Sequence, residues 1–215
     1  MRGVLFDFGS TLFGHASLAD TIAACGVPAP DAADLARRID AAAAHPDEAV
    51  HRRDLDAAIW AARWRHLYSI DEARWPGLGA AVDAAMHDPA QWVPYRDTAA
   101  VLRTLQGAGI RCGVVSNTGW DVRGPFAHHG LLDLVDSFTL SCEVGAAKPD
   151  RAIFAIACAR LGVEPAEVLM VGDDPRADTG AMALGMPTLL LPPAPPGGDN
   201  GLALVGSALA GRGPG

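Results

Sequence analysis

The chain has 215 residues, 50% of them hydrophobic, and its 17 Lys and Arg against 25 Asp and Glu give a net charge of −8 at pH 7. A chain of this hydrophobic content is not disordered, and its length suits one domain or a core domain with a smaller insert. The acidic balance argues against a nucleic-acid-binding protein and against anchoring to an anionic membrane surface, because both kinds of binding require a basic face.

The first predicted element is a short buried strand over residues 3–8, which ends in a glycine turn at Asp7-Phe8-Gly9-Ser10. The aspartate interrupts the apolar run, so the run lacks the long hydrophobic region of a signal peptide. No segment of the chain reaches the roughly 18 uninterrupted apolar residues that a membrane span requires. Four widely separated cysteines without a Cys-x-x-Cys pair are typical of reduced thiols. We therefore expect a soluble cytoplasmic protein.

Residues 15–91 are predicted to form an all-helical insert. Alanine dominates this segment, and its apolar residues recur at helical intervals in three or four stretches. The helices are expected to break at three proline-containing sites, near Pro28-Ala29-Pro30, His45-Pro46 and Trp75-Pro76-Gly77. Trp60, Trp64 and Tyr68 lie four positions apart, and we expect this stripe to form the core of the insert rather than a substrate wall.

From residue 92 onward the sequence predicts strands that alternate with helices. The helices are predicted at about 98–108, 122–129, 152–161 and 177–184, and the strands over 112–115, 138–140, 168–171 and 188–191. A glycine follows the last turn of each helix. This alternation is typical of a parallel sheet, so we expect a Rossmann-like α/β core built from residues 1–14 and 92–215. The tail after Leu191 is predicted to be a Pro/Gly-rich connector with one weakly apolar stretch, residues 202–209.

The side chains directly after each strand are the candidate functional residues, because a parallel sheet places its ligand at the carboxyl ends of its strands. In chain order they are Asp7, Ser10, Thr11, Ser116, Asn117, Thr118, Lys148, Asp173, Asp174 and Asp178. Carboxylates that meet at one edge can hold a hard divalent cation through oxygen, and such a cluster repels itself without one. A hydroxyl and an ammonium group can bind a phosphoryl group, and a remaining carboxylate can attack phosphorus.

Four segments of the chain, in order, resemble the four motifs of the haloacid dehalogenase (HAD) superfamily. They are Asp7-Phe8-Gly9-Ser10-Thr11-Leu12, Val114-Val115-Ser116-Asn117, Ala147-Lys148-Pro149-Asp150, and Val171-Gly172-Asp173-Asp174 with Asp178-Thr179-Gly180-Ala181. The insert at residues 15–91 resembles the C1-type helical cap of that superfamily, so the resemblance covers nearly the whole chain. The phosphatase-like members with a small helical cap are the most similar.

The resemblance implies catalytic roles for Asp7, Ser116 and Lys148. Asp7 would be the nucleophile that forms an aspartyl-phosphate. Ser116 would hydrogen-bond the transferring phosphoryl oxygens, and Lys148 would neutralise them and orient Asp7. The implied phosphate-side contacts are Ser10, Thr11 and Asn117.

The resemblance also implies a Mg²⁺ ion as cofactor. Its implied ligands are Asp7, the backbone carbonyl of Gly9, Asp173 and Asp178, the last either directly or through a metal-bound water. Asp174 is a further candidate, although successive residues of an extended segment point in different directions. The implied substrate is a small phosphorylated metabolite, and the sequence indicates no oligomeric state.

Gly9 departs from the pattern of the phosphatases that the chain resembles, which carry a second aspartate two residues after the nucleophile. In that family the second carboxylate protonates the leaving alkoxide and then takes a proton from the attacking water. Gly9 can offer a backbone carbonyl to the metal but no proton. Loss of a general acid/base lowers the rate by about 10²–10⁴-fold where the leaving group needs a proton, and by less for a good leaving group.

Three hypotheses stay open at this point. We favour a Mg²⁺-dependent phosphatase with weakened proton transfer, or with proton transfer rerouted through His15 or through water. The second hypothesis is a 2-haloacid dehalogenase, in which the aspartate attacks carbon and needs no acid. The pair Asp173-Asp174 counts against it, because those relatives usually carry Ser or Asn there. The third is a HAD scaffold without turnover that binds a phosphorylated ligand or a protein partner.

Overall fold

The structure, a computed structural model, describes residues 1–44 and 54–210. Its strands, in chain order, are β1 (Gly3–Phe6), β2 (Phe13–Gly14), β3 (Val93–Pro94), β4 (Arg111–Ser116), β5 (Ser137–Leu140), β6 (Val168–Gly172) and β7 (Thr188–Leu190). Five of them form one parallel sheet in the order β5-β4-β1-β6-β7. The strand order reverses at β1, and α/β sheets bind ligands in the crevice at such a reversal. The expected Rossmann-like α/β fold is confirmed.

Both faces of the sheet pack against apolar clusters, because successive side chains of a strand point to opposite faces. On β1, Val4 and Phe6 belong to one cluster and Leu5 belongs to the other. The strand pairs with β4 on one side and β6 on the other, and all of its residues are buried. Asp7, which follows β1, therefore lies in the middle of the carboxyl edge of the sheet.

The described helices, in chain order, are α1 (Leu18–Ala24), α2 (Ala29–Ala43), α3 (Ala57–Tyr68), α4 (Leu78–His87), α5 (Thr98–Gly107), α6 (Arg123–His128), α7 (Ser141–Val144), α8 (Arg151–Leu161) and α9 (Ala203–Ala210). Short 3₁₀ helices cover Pro89–Gln91, Leu132–Leu134, Pro165–Glu167 and Asp178–Leu184. The α-helix predicted over 177–184 is a 3₁₀ helix here, and it contains Thr179 and Gly180, two residues of low helix propensity. None of the described helices is both long and apolar enough to cross a membrane.

Helices α1 to α4 lie between β2 and β3 and pack around an apolar cluster of their own. Its most deeply buried members include Ile22, Leu35, Ile39 and Leu67. Strands β2 and β3 pair antiparallel, with Phe13 opposite Pro94 and Gly14 opposite Val93. The chain thus leaves the part that carries the sheet, and returns to it, through one short two-stranded ribbon.

Two of the three predicted helix breaks lie at helix starts. Pro28 precedes the first residue of α2, and Gly77, which has a φ of 83°, precedes the first residue of α4. The third predicted break, His45-Pro46, lies outside the described residues.

The C-terminal stretch 202–209 is part of the core. Helix α9 packs against α5, and Leu202 and Val205 are buried in the cluster that contains Phe6. The prediction of a connector is therefore wrong for this stretch, because Leu202, Val205 and Leu209 recur at helical spacing and are all buried.

Candidate active site

The side chain of Lys148 joins two carboxylates at the carboxyl edge of the sheet. Its Nζ donates a hydrogen bond to Asp7 Oδ1 at 2.6 Å and another to Asp178 Oδ1 at 2.7 Å. The side chains of Lys148, Asp7 and Asp178 are 3%, 14% and 0% exposed. Burial lowers the pKa of the Lys148 ammonium, but the charges of Asp7 and Asp178 outweigh burial and leave that pKa above its usual value. Lys148 is therefore a fixed positive charge beside Asp7.

Asp7 sits in a poorly hydrated position. Burial raises the pKa of its carboxyl group, the nearby charge of Asp178 raises it further, and Lys148 opposes both effects. Solvent stabilises the negative charge of such a buried carboxylate less than that of an exposed one. The hydrogen bond from the Lys148 ammonium fixes the orientation of the Asp7 side chain. Both features suit a nucleophile.

Asp178 orders the loop that follows β6. Its Oδ2 accepts hydrogen bonds from the backbone N–H groups of Asp173 and Asp174, each at 3.1 Å. Gly172 makes room for this carboxylate, because a Cβ at that position would lie 2.0 Å from Asp178 Oδ2. Both carboxylate oxygens of Asp178 are thus engaged, one by Lys148 and one by the loop.

Asp7, Asp173 and Asp178 form an acidic cluster in which one oxygen of each lies within 4.8 Å of the others. Thr11 Oγ1 donates a hydrogen bond of 3.4 Å to Asp173 Oδ1. Burial, followed by the charges of Asp7 and Asp178, raises the pKa of Asp173 to about 6. Lys148 pairs with two of these three carboxylates, Asp7 and Asp178, and among the described residues no salt bridge to Asp173 is found. Such an excess of oxygen ligands and negative charge suits a hard divalent cation.

Ser116 and Asn117, at the end of β4, occupy different positions around the nucleophile. Ser116 is buried and lines the cavity above Asp7. The Asn117 side chain brackets the backbone of Lys148: Nδ2 donates to the Lys148 carbonyl at 2.8 Å, and Oδ1 accepts from the Lys148 N–H at 2.7 Å. The amide of Asn117 therefore positions Lys148.

Three residues predicted to act at the site, Ser10, Thr11 and His15, do not line the cavity above Asp7. Ser10 is exposed on the turn after β1, where it has a φ of 57°, and Thr11 is fully buried with its hydroxyl bonded to Asp173. Neither residue lines the cavity. His15 does not line it either, and its ring nitrogens lie 2.9 Å from the Ala16 carbonyl and 3.4 Å from the Ala85 carbonyl.

A cavity of about 430 Å³ opens above this edge of the sheet. The predicted site residues that line it are Asp7, Gly9, Ser116, Asn117, Thr118, Lys148 and Asp174. The carboxylate of Asp174 accepts a hydrogen bond from the Arg176 N–H at 2.8 Å, and it stands outside the acidic cluster. The structure therefore brings the predicted nucleophile, serine and lysine to one cavity.

The opposite wall of the cavity belongs to α3. Trp60, Trp64 and Tyr68 all line it, although Tyr68 is only 4% exposed and Trp64 also packs against the apolar cluster of the insert. The prediction that this stripe is core rather than substrate wall is therefore wrong in its second half. The stripe lines the cavity because α3 lies over the carboxyl edge of the sheet, a tertiary contact that helical spacing does not predict.

The cavity is also lined by His87, Trp92 and Trp120, which were not among the residues predicted to act at the site. His87, the last residue of α4, lines the cavity, and its Nδ1 donates to the Asp83 carbonyl at 2.7 Å. Its ring is perpendicular to that of Trp120, with 5.5 Å between the ring centroids. The spacing of Asp83 and His87 by one helical turn is a sequence signal, but it does not show which way that face of α4 points.

A sequence model of the haloacid dehalogenase-like hydrolase family matches residues 1–184 of the chain. The chain is 34% identical over 119 residues to a ribulose-1,5-bisphosphate 5-phosphatase of Halopiger xanaduensis, a match that covers 54% of this chain and 49% of the relative. It is 29% identical over 202 residues to a glyceraldehyde 3-phosphate phosphatase of Methanopyrus kandleri, covering 88% of this chain and 83% of the relative. The chain thus spans about half the length of the first relative and most of the second.

A solved structure of a dehalogenase has the same fold. It superposes with a TM-score of 0.72 and 24% sequence identity, over 98% of this chain and 97% of that one. At this identity the likeness shows the fold alone. Proteins named for two different reactions therefore resemble this chain, the phosphatases in sequence and the dehalogenase in fold, and the residues of the site must distinguish between those reactions.

Proposed function

This chain belongs to the haloacid dehalogenase-like hydrolase family, and we propose that it is a Mg²⁺-dependent phosphatase that acts on a small phosphomonoester. The observation that carries the proposal is the buried contact of Lys148 with Asp7 and Asp178, next to the third carboxylate of Asp173. A nucleophile beside a fixed ammonium and surplus carboxylates suits attack on a phosphoryl group that a cation neutralises. The two phosphatase-named relatives support the same class of reaction.

In the proposed reaction, an oxygen of the Asp7 carboxylate attacks phosphorus, and the bond from phosphorus to the alcohol oxygen breaks. Lys148 holds Asp7 in position and, with Ser116, stabilises the charge on the phosphoryl oxygens. Water then hydrolyses the aspartyl-phosphate, which releases inorganic phosphate and restores Asp7. Asn117 and Thr11 act by positioning, the first on Lys148 and the second on Asp173.

The donor set fits Mg²⁺, which binds carboxylate and carbonyl oxygens. We assign Asp7, Asp173 and the backbone carbonyl of Gly9 as the protein ligands, with Asp174 as a further candidate. Asp178 belongs to the same cluster, but both of its oxygens are engaged, so we assign it to holding Lys148 and the loop after β6. When bound, Mg²⁺ would supply positive charge to the phosphoryl oxygens.

We propose that water, rather than a side chain, carries the protons of the reaction. Gly9 lies in the cavity lining where the related phosphatases place an acid, and it has no proton to give. His15 lies outside that lining. The rate should consequently depend on how readily the alcohol leaves without a proton.

We also propose that residues 15–91 form a cap over a core made of residues 1–14 and 92–215. The β2–β3 ribbon, the separate apolar cluster and the position of α3 over the cavity support this division. The cap would cover a phosphorylated metabolite, and the four cysteines, which are all free, fit a cytoplasmic enzyme.

The test is phosphate release from a panel of phosphomonoesters with and without Mg²⁺, together with halide release from a 2-haloacid. We expect phosphate release that requires Mg²⁺ and Asp7, and no halide release. Halide release without phosphate release would show a dehalogenase instead. No turnover in either assay, together with stabilisation by a phosphorylated ligand, would show a binding scaffold.

A further inference from the structure

Much of the cavity wall above Asp7 is aromatic. The rings that line it, from the insert and then from the sheet-bearing part, are Trp60, Trp64, Tyr68, Phe8, Trp92 and Trp120. A volume of about 430 Å³ suits a small organic ligand. Aromatic side chains favour flat rings, through offset stacking and edge-to-face contacts.

The rings on the sheet side form one connected group beside the nucleophile. Phe8 directly follows Asp7, and its ring centroid lies 4.7 Å from that of Trp92 and 6.0 Å from that of Trp120. The Trp92 and Trp120 rings are 5.8 Å apart. Trp92 is fixed by a hydrogen bond of 3.0 Å from its Nε1 to the Met86 carbonyl. A flat group attached to a phosphate at Asp7 would therefore lie in a cavity that these rings line.

The ring wall continues on the insert side through Trp60. The side chain of Trp60 packs directly on the backbone of Gly119, where an added Cβ would lie 2.1 Å from Trp60. Gly119 belongs to the loop after β4 and lies three residues beyond Ser116, the last residue of that strand. The Trp60 and Trp64 centroids are 5.7 Å apart, so these two rings are direct neighbours in the wall. The two halves of the wall therefore meet close to the phosphate-binding residues.

We propose that the substrate is an aryl phosphate, with its ring between the aromatic walls and its phosphate at Asp7, Ser116 and Lys148. This inference rests on the proposed phosphatase function. Two independent features of the cavity support it, the ring-lined wall and the absence of an acid at Gly9.

The leaving group explains why these two features belong together. A phenol has a pKa of about 10, as in the tyrosine side chain, whereas an aliphatic alcohol has a pKa near that of water, about 16. When the Asp7 oxygen bonds to phosphorus, the phenolate departs with the electron pair of the broken P–O bond and takes a proton from solvent. Water then attacks the phosphorus of the aspartyl-phosphate, leaving inorganic phosphate, the Asp7 carboxylate and a proton. No step requires the acid that position 9 lacks.

Ring recognition can be separated from leaving-group chemistry with phosphonates, which have no leaving group. We would measure the dissociation constants of phenylphosphonate, cyclohexylphosphonate and methylphosphonate for the wild-type protein with Mg²⁺ by isothermal titration calorimetry. We expect phenylphosphonate to bind about 10-fold more tightly than the other two, since two flanking rings favour a flat one. Equal affinity for the phenyl and cyclohexyl compounds would overturn the inference, and this comparison needs no variant.

The variant Trp60→Leu tests the wall itself, and Trp75→Leu is its matched control. Trp75 lies in the same insert but does not line the cavity. We expect Trp60→Leu to weaken phenylphosphonate binding by about 5- to 10-fold and methylphosphonate binding by less than about 2-fold. Trp75→Leu should change neither. An equal loss for both phosphonates in Trp60→Leu would contradict a ring-binding wall.

Turnover separates failure of this inference from failure of the proposed function. Hydrolysis of phenyl phosphate in preference to cyclohexyl phosphate, dependent on Asp7, supports both. Asp7-dependent hydrolysis that prefers alkyl phosphates would refute the aryl assignment and leave the phosphatase proposal intact. Absence of Asp7-dependent phosphate release from every ester would refute the phosphatase proposal itself.

Discussion

Lys148 donates a hydrogen bond of 2.7 Å from its Nζ to Asp178 Oδ1, and the two side chains are 3% and 0% exposed. A buried charge pair of this kind is costly to break from one side, because the remaining charge loses its partner without regaining water. The same carboxylate also holds the loop after β6. The pair therefore connects the stability of the fold with the geometry of the nucleophile.

The first prediction concerns Asp178→Asn. We expect it to lower the free energy of unfolding by about 3 kcal/mol, because Lys148 stays buried with only Asp7 as a counter-ion. Urea unfolding followed by circular dichroism measures this change. The same substitution at the exposed Asp133 is the control and should cost less than about 0.5 kcal/mol. Equal effects at the two positions would show that the buried pair contributes little.

The second prediction concerns Asp7→Asn. This variant keeps the shape of the side chain but cannot attack phosphorus, so Mg²⁺-dependent phosphate release should fall by about 10³-fold or more. A continuous phosphate-release assay measures it. Asp121→Asn, at an aspartate whose side chain is 64% exposed, should retain wild-type activity. Activity retained in Asp7→Asn would place the nucleophile elsewhere.

The third prediction concerns Gly9→Asp. A Cβ on Gly9 would lie 3.8 Å from Trp92 Cζ3, an ordinary van der Waals distance, so the Cβ of an aspartate fits at this position. We expect turnover of alkyl phosphates to rise by about 10²-fold, with little change for nitrophenyl phosphate, whose leaving group needs no acid. Gly9→Asn has the same size without a transferable proton, and it should raise neither rate. An equal change in turnover on both substrates would contradict the inference that a missing acid at position 9 limits the rate.

The fourth prediction concerns pH. The pKa of Asp173 is raised from 3.8 to about 6, so the folded metal-free protein binds this proton more tightly than the unfolded chain does. Its contribution to stability is present below about pH 4 and is lost as the pH rises through about 6. Mg²⁺ requires the deprotonated carboxylate, so its affinity should be about tenfold lower at about pH 5 than at about pH 7.5.

Calorimetric titration of Mg²⁺ at the two pH values measures this effect. Mg²⁺ should also raise the melting temperature more at about pH 7.5 than at about pH 5. Asp173→Asn serves as the control, because it removes the titrating group together with a ligand. Equal Mg²⁺ affinity at both pH values in the wild-type protein would contradict the assignment of Asp173.

The sheet was predictable because its strands are short apolar runs between helices that end at glycines. The strand after α5, for example, is predicted over 112–115 and observed as Arg111–Ser116. Helix α9 was not predictable in the same way, since three apolar residues at helical spacing follow a long Pro/Gly-rich stretch. Only their contact with α5 shows that they are core.

At the site, the sequence order identified the strand ends but not the direction of each side chain. Asp7, Ser116 and Lys148 reach one cavity because they follow strands or loops at the same edge. Thr11 and Asn117 belong to the same motifs, but their side chains bond to other site residues, the first to Asp173 and the second to the backbone of Lys148. Backbone turns and tertiary contacts decide such orientations, and residue spacing does not encode them.

The β2–β3 ribbon separates the residues proposed to react from part of the residues that line the cavity. Every strand of the five-stranded sheet lies outside residues 15–91, and so do the reacting groups Asp7, Ser116, Lys148 and Asp173. The cavity residues Trp60, Trp64, Tyr68 and His87 lie within that segment. Mutations in the segment between β2 and β3 can therefore alter the shape of the cavity without moving the reacting groups. Laboratory evolution of this protein toward a new ester should accumulate its beneficial substitutions in that segment.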